Sequence, residues 1–228
     1  MIDPLSAIRL SLLVATFATL AGLPPAVGVG WLLARRSFAG KSLLSALLMA
    51  PLVLPPVVTG LLLLRAFGHD TLAGKALAAV DLPVPFTLFG AMIAAWVVGF
   101  PLMVLSARTA FESVDPRFES VSAALGVRPL RTFWRTTLPL AAPGLCAGAV
   151  LTFARALGEF GATAIVAGNM EGRTRTIALA VYSLLDEPNG EPQIRVLLVA
   201  SLTISVAALY GWERLNRWQR RRLDVAHG

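Results

Sequence analysis

No charged side chain interrupts the chain from Leu10 to Ala34, from Ser42 to Leu64, from Leu82 to Ala107, from Thr136 to Ala154 or from Val196 to Trp212. Each run is near the roughly 17 to 25 residues that an α-helix needs to cross a hydrocarbon layer about 30 Å thick. Inside that layer every backbone polar group must be satisfied within the segment, which leaves helices as the economical solution. Composition agrees: 56% of the 228 residues are hydrophobic and 14% charged, where soluble domains carry about 25% charge. Mean hydropathy is +0.71. The chain is therefore expected to be an all-α integral membrane protein, one transmembrane domain over residues 1–228 with about five helices. The spans fall near 10–34, 42–65, 84–107, 138–167 and 194–212, with a polar loop at 108–137.

The first run follows Arg9, but it is too long for the apolar core of a signal peptide, lacks a convincing small-x-small cleavage site and is followed by Arg35 and Arg36. It reads as a helix. Cys146 is the single cysteine, so neither a disulfide nor a cysteine metal site can form within one chain. The histidines are His69 and His227, which cannot both serve one triad or metal site. Gly40-Lys41-Ser42 looks like the end of a phosphate-binding loop, but Arg35 stands where that loop needs its first glycine and no βαβ strand precedes it. The chain is not expected to be an enzyme.

Arginine and lysine are distributed unevenly. One set of loops carries Arg35, Arg36 and Lys41, then Arg108, Arg117, Arg128, Arg131 and Arg135, then Arg214, Arg217, Arg220, Arg221 and Arg222. The opposite set has Arg9, Arg65, Lys75, Arg173, Arg175 and Arg195, diluted by seven carboxylates from Asp3 to Glu191. The positive-inside bias puts the N-terminus outside and the C-terminus in the cytoplasm. The isoelectric point of about 10.9 then follows from topology, and no nucleic-acid partner is implied.

The loop between the third and fourth spans has internal order. Asp115-Pro116 is a good helix start, the carboxylate capping free N–H groups and the proline sitting where its missing N–H costs nothing. Phe118, Val121, Ser122 and Leu125 share a helical face, and Gly126 suits a left-handed closing position. A second short helix can start at Pro129, placing Leu130, Phe133 and Trp134 among Arg128, Arg131 and Arg135. Such a helix–glycine–helix knob suits either an anionic lipid surface or a groove on a soluble partner.

Gly126, nine residues, then Thr136-Thr137-Leu138-Pro139 is similar to the coupling loop of ABC importer permeases, whose pattern is Glu-Ala-Ala, three residues, Gly, nine residues, Ile, one residue, Leu-Pro. Ser120-Val121-Ser122 stands in place of Glu-Ala-Ala, with Glu119 one residue earlier, and Thr136 replaces Ile. "LARRSFAGKSLL", "APLVLPPVVTGLLLL", "FPLMVLSARTAFESVDP", "ARALGEFGATAIVAGN" and "RTRTIALAVYSLLD" resemble the molybdate-type oxyanion permeases, with sulfate permeases close behind.

The resemblance implies a type I ABC importer permease in a bacterial plasma (inner) membrane, a homodimer with one path at its two-fold axis. Such a permease would be expected to carry molybdate, and tungstate as well, with sulfate or thiosulfate as the alternative cargo. Two copies of a separate ATPase hold ATP and Mg, no cofactor sits on this chain, and a periplasmic or extracellular binding protein delivers the oxyanion. Glu119, Ala123, Ala124, Leu125, Gly126, Val127, Arg128, Leu130 and Arg131 are the residues this assigns to the ATPase seat. A self-sufficient secondary transporter is the other class, but it would be expected to show internal repeats, and none is evident.

Within the membrane, Pro51, Pro55 and Pro56, with Thr59 beside them, mark a pore-lining bend or a packing kink. Gly144 and Gly148 permit a close helix approach. Read as one continuous helix, the fourth span puts Ala141, Gly144, Gly148, Thr152, Arg155, Gly158, Glu159 and Ala162 on one side. Cys146, Val150, Phe153, Leu157, Phe160 and Ala164 form the lipid-facing side. A charge at the bilayer centre costs roughly 2.5 to 3.5 kcal/mol, and base before acid is the weaker order for an i,i+4 pair. Arg155 and Glu159 are therefore expected to pair with neighbouring helices or the other subunit, in a structural or gating role, the alternative being that Arg155 attracts the anion. Outside the membrane, Gly68–Pro85 is helix-competent around "TLAGKALAAVDL". Gly168–Pro192 reads as a charged loop, solvated or touching the binding protein through Glu171, Arg173, Arg175, Asp186, Glu187 and Glu191.

Overall fold

The computed structural model describes residues 3–225 of the chain, with side chains through Arg214. His227, and the side chains of Arg217, Arg220, Arg221 and Arg222, lie outside the described residues. All regular structure described is helical: α1 (Pro4–Arg35), α2 (Lys41–Val53), α3 (Pro56–Ala66), α4 (Leu72–Ala78), α5 (Leu88–Glu112), α6 (Arg117–Ala124), α7 (Pro129–Thr132), a π-turn (Phe133–Thr137), α8 (Leu138–Leu157), α9 (Gly161–Ala167), α10 (Ile177–Leu184) and α11 (Glu191–Val225). Four stretches are long and apolar enough to cross a bilayer: Pro4–Arg35, Leu88–Glu112, Pro129–Leu157 and Glu191–Arg214.

Two expected spans are not straight. The second is the pair α2 and α3, bent by 112°. Pro55 and Pro56 lack N–H donors, so the α2 ladder cannot continue through them, and Leu54 leaves it extended at ψ 142°. The fourth ends at Leu157 rather than running on to residue 167, and α9 starts afresh at Gly161. Gly158, with its low helix propensity, sits at that break, where its N–H still closes onto the Ala154 carbonyl at 3.3 Å.

α5 is the central element, packing against α1, α8, α9 and α2. Small residues allow this. A Cβ on Gly148 would lie 2.6 Å from the Ser106 Cβ, and one on Gly144 2.6 Å from the Ala110 Cβ, so α8 and α5 pack nearly backbone to backbone. Val14, Ala15, Ala18, Ala91, Ala95, Ala156 and Leu157 form one buried cluster between α1, α5 and α8.

The segment from Gly168 to Pro192 is only partly a solvated loop. It contains α10, whose Ile177, Ala180 and Leu184 pack with Ala7, Ile194 and Leu197. Ser11 Oγ in α1 accepts the Ile177 N–H at 2.7 Å, which supplies the start of α10 with a buried acceptor. The polar turn before it is bonded internally: Arg175 Nε donates to Asn169 Oδ1 at 2.8 Å, and Asn169 Nδ2 donates to Ser183 Oγ at 2.8 Å.

Candidate coupling knob and intramembrane charge pair

Asp115 Oδ1 accepts the Arg117 N–H at 2.8 Å and opens α6. Gly126, at φ +72°, closes it. The Gly126 N–H returns to the Ala123 carbonyl at 3.0 Å and the Val127 N–H to the Ser122 carbonyl at 3.0 Å. A side chain at Gly126 would meet nothing within 4 Å, so the requirement there is conformational. The chain turns through Arg128 into α7, whose first residue is Pro129.

This knob displays apolar side chains to its surroundings: Val121, Leu125, Leu130 and Trp134 are 60%, 77%, 71% and 61% exposed. Ala123, Ala124, Arg128 and Arg131 are also exposed, while Val127 is half-buried. Arginines at its edges supply solubility and charge, and its apolar centre is the kind of surface a partner covers.

Glu119 is different from the residues grouped with it in the sequence. Its Oε1 accepts from Arg35 Nε at 3.0 Å and from Thr137 Oγ1 at 3.1 Å, and Arg35 Nη2 donates to the Val114 carbonyl at 2.8 Å. It therefore points into the chain. Beside it opens a cleft of about 230 Å³ lined by Trp31, Ala123, Val127, Phe133 and Thr137 among others.

The second group of interest lies at the break between α8 and α9. Arg155 Nη1 donates to Glu159 Oε2 at 2.7 Å, and Glu159 Oε1 accepts the Ala162 N–H at 2.8 Å. Within the chain the two charges pair with each other. The objection from residue order disappears because the helix is interrupted: Arg155 sits in the last turn of α8, where a cation is favoured, and Glu159 stands at the start of α9, where an anion is favoured. Glu159 is only 2% exposed and Arg155 31%. Leu157, expected to face lipid, is instead buried at the end of α8, and Gly158, expected to be covered, is exposed, whereas beyond the break Glu159 and Ala162 are buried and Phe160 is exposed, on the sides expected for them.

The two interrupted spans meet. A Cβ on Gly161 would lie 3.0 Å from the Pro56 Cβ, and one on Gly60 would lie 2.9 Å from the Ala162 Cα. Pro51 lies within α2 and Pro55 caps α3, so the prolines sit at and beside the bend. Thr59 is 4% exposed and faces protein within the subunit. In the Gly168–Pro192 segment, Arg173, Asp186, Glu187 and Glu191 are exposed, whereas Arg175 is engaged with Asn169 and Glu171. Among the described residues no group of three His, Cys, Asp or Glu side chains could hold a metal ion.

Residues 26–223 match the family described as "Binding-protein-dependent transport system inner membrane component". The chain is 44% identical to the molybdenum transport system permease protein ModB of Haemophilus influenzae over 98% of its own length and 96% of that protein's. It is 43% identical to the ModB of Escherichia coli K12, covering 95% of each. The sulfate transport system permease protein CysT of Salmonella typhimurium is 33% identical over 87% of this chain and 73% of that protein. Among solved structures, the fold resembles the MetNI methionine ABC transporter in inward-facing conformations, with a TM-score of 0.68 at 16% identity over 95% and 94% of the two chains. It also resembles a bacterial ABC transporter that imports alginate, with a TM-score of 0.69 at 15% identity over 95% and 79%.

Proposed function

Since the chain belongs to the family of inner-membrane components of binding-protein-dependent transport systems, we propose that it is the permease subunit of an ATP-driven importer of molybdate. Two copies assemble around one path, each knob seats in a cytoplasmic ATPase that holds ATP and Mg, and a binding protein delivers the oxyanion from the other side. The observation that carries the coupling role is the knob itself, an apolar surface centred on Leu125 and Leu130 and held in shape by the left-handed Gly126. Molybdate is favoured over other cargo by the 44% identity to a molybdenum permease along nearly the whole chain. Tungstate, with the same tetrahedral shape and charge, would follow the same route.

The chain's own task in this cycle is mechanical. Closure of the ATPase pair moves the knobs, and alternating access requires the packed helices to have two arrangements. The Arg155–Glu159 pair keeps the interrupted fourth span electrically neutral within the membrane and holds α9 to α8 in one of these states. Sulfate is the second reading, favoured by the 33% identity to a sulfate permease.

Reconstitution with the ATPase and the binding protein tests both readings. ATP-dependent uptake of molybdate that excess tungstate blocks and equimolar sulfate leaves unchanged is expected; uptake of sulfate alone would replace the first reading by the second. Leu125→Glu should abolish retention of the ATPase, and unchanged retention would remove the knob from the mechanism.

A further inference from the structure

Arg35 is the last residue of α1, yet its guanidinium reaches two other parts of the chain at once. Nε donates to Glu119 in α6 and Nη2 to the Val114 carbonyl in the link between α5 and α6, at 3.0 and 2.8 Å. The same Glu119 oxygen accepts from Thr137, the last residue of the π-turn that leads into α8, at 3.1 Å. One guanidinium and one carboxylate thus join the knob to two membrane helices. The planar fork of arginine suits two acceptors at a fixed angle, which an ammonium serves less well. The Arg35 side chain is 10% exposed and that of Glu119 31%, so the guanidinium is shielded while the carboxylate stays partly open to water. Arg36, one residue on, supplies an internal contrast: it is exposed and lies over the Trp31 ring at 5.9 Å, with no carboxylate partner among the described residues.

We propose that Arg35, acting through Glu119, is the strut that carries movement of the knob into α1 and α8. Arg35 is therefore a positioning residue for transport and Glu119 an anchor rather than part of the docking face. The proposal rests on the knob being an ATPase seat. Without the strut, the knob remains attached at its two chain ends and by the contacts of Phe133 with Trp31 and Phe111. It can then move with the ATPase while displacing α1 less. ATP hydrolysis should continue while its link to transport weakens.

The test is the number of molybdate ions moved per ATP hydrolysed, measured with the full transporter in proteoliposomes. Arg35→Gln should still retain the ATPase and hydrolyse ATP, but move at least tenfold less molybdate per ATP. Arg35→Lys, which keeps the charge and guards against a folding defect, should fall between Gln and wild type, and Arg36→Gln should match wild type. In a Cys146→Ser background, which removes the only native cysteine, Arg35→Cys with Glu119→Cys should be uncoupled. A bifunctional methanethiosulfonate, which bridges the two thiols through disulfides, should restore its coupling, and reductant should abolish it again. A wild-type transport ratio in Arg35→Gln, loss of the ATPase from that variant, or a cross-linked pair that remains uncoupled would each overturn the strut. A wild-type protein that holds no ATPase would instead remove the reading of the knob, and the strut with it.

Discussion

Glu159 bonds both Arg155 and the Ala162 amide, at 2.7 and 2.8 Å, and so links the end of one helix to the start of the next. The two ends of this link are unequal, since Glu159 is almost fully buried and Arg155 is partly open. Arg155→Gln leaves a buried carboxylate without its cation, and removing one partner of a buried pair typically costs about 3 to 5 kcal/mol. Glu159→Gln keeps an acceptor for the Ala162 amide and should cost less. The double variant should be more stable than Arg155→Gln alone. Thermal unfolding of the purified proteins in detergent ranks the three, and equal losses in both single variants would contradict the asymmetry.

The crossing of α3 and α9 has no room for a methyl group. A Cβ on Gly60 would stand 2.9 Å from both the Ala162 Cα and its carbonyl oxygen, neither of which can rotate away. Gly60→Ala should destabilise by about 1 to 3 kcal/mol through overpacking. Gly28→Ala is the matched control, because nothing lies within 4 Å of its added methyl. Unfolding midpoints that fall equally in both variants would show that the crossing can relax.

Ser11→Ala should loosen α10 without disturbing the knob. The hydroxyl accepts the buried Ile177 N–H at 2.7 Å, and an amide left unsatisfied costs about 1 to 3 kcal/mol. Faster hydrogen exchange confined to Ile177–Leu184 and its neighbours is the expected signature. Unchanged exchange would mean that another acceptor takes over.

Gly126→Ala separates shape from surface. The methyl meets nothing, but φ +72° costs a residue with a Cβ about 1 to 2 kcal/mol. ATPase affinity should fall roughly five- to thirtyfold, while the melting temperature of the membrane bundle stays near wild type. Binding measured with the isolated ATPase checks this.

These relationships were not equally legible in the sequence. Asp115, Gly126 and Pro129 carry local signals, a cap, a left-handed turn and a helix start, and the knob is built at those residues. The partners of Glu119, Arg35 and Thr137, are 84 and 18 residues away, so its inward direction depends on packing that no local pattern encodes. The break after Leu157 was missed because hydrophobic periodicity registers side chains, not the backbone ladder, and no proline stands there. α10 is not legible for the opposite reason: its eight residues, all apolar but Ser183, are too few for a span and are flanked by charges.

The π-turn at Phe133–Thr137 has a further consequence. A π-turn inserts one residue into the helical path, so everything downstream is out of phase by roughly 100° with an uninterrupted α-helix. The knob and α8 are thus keyed to each other at an angle set by a single residue. Deleting Thr136 would swing Gly148, Thr152 and Arg155 together towards a different neighbour while leaving every span apolar.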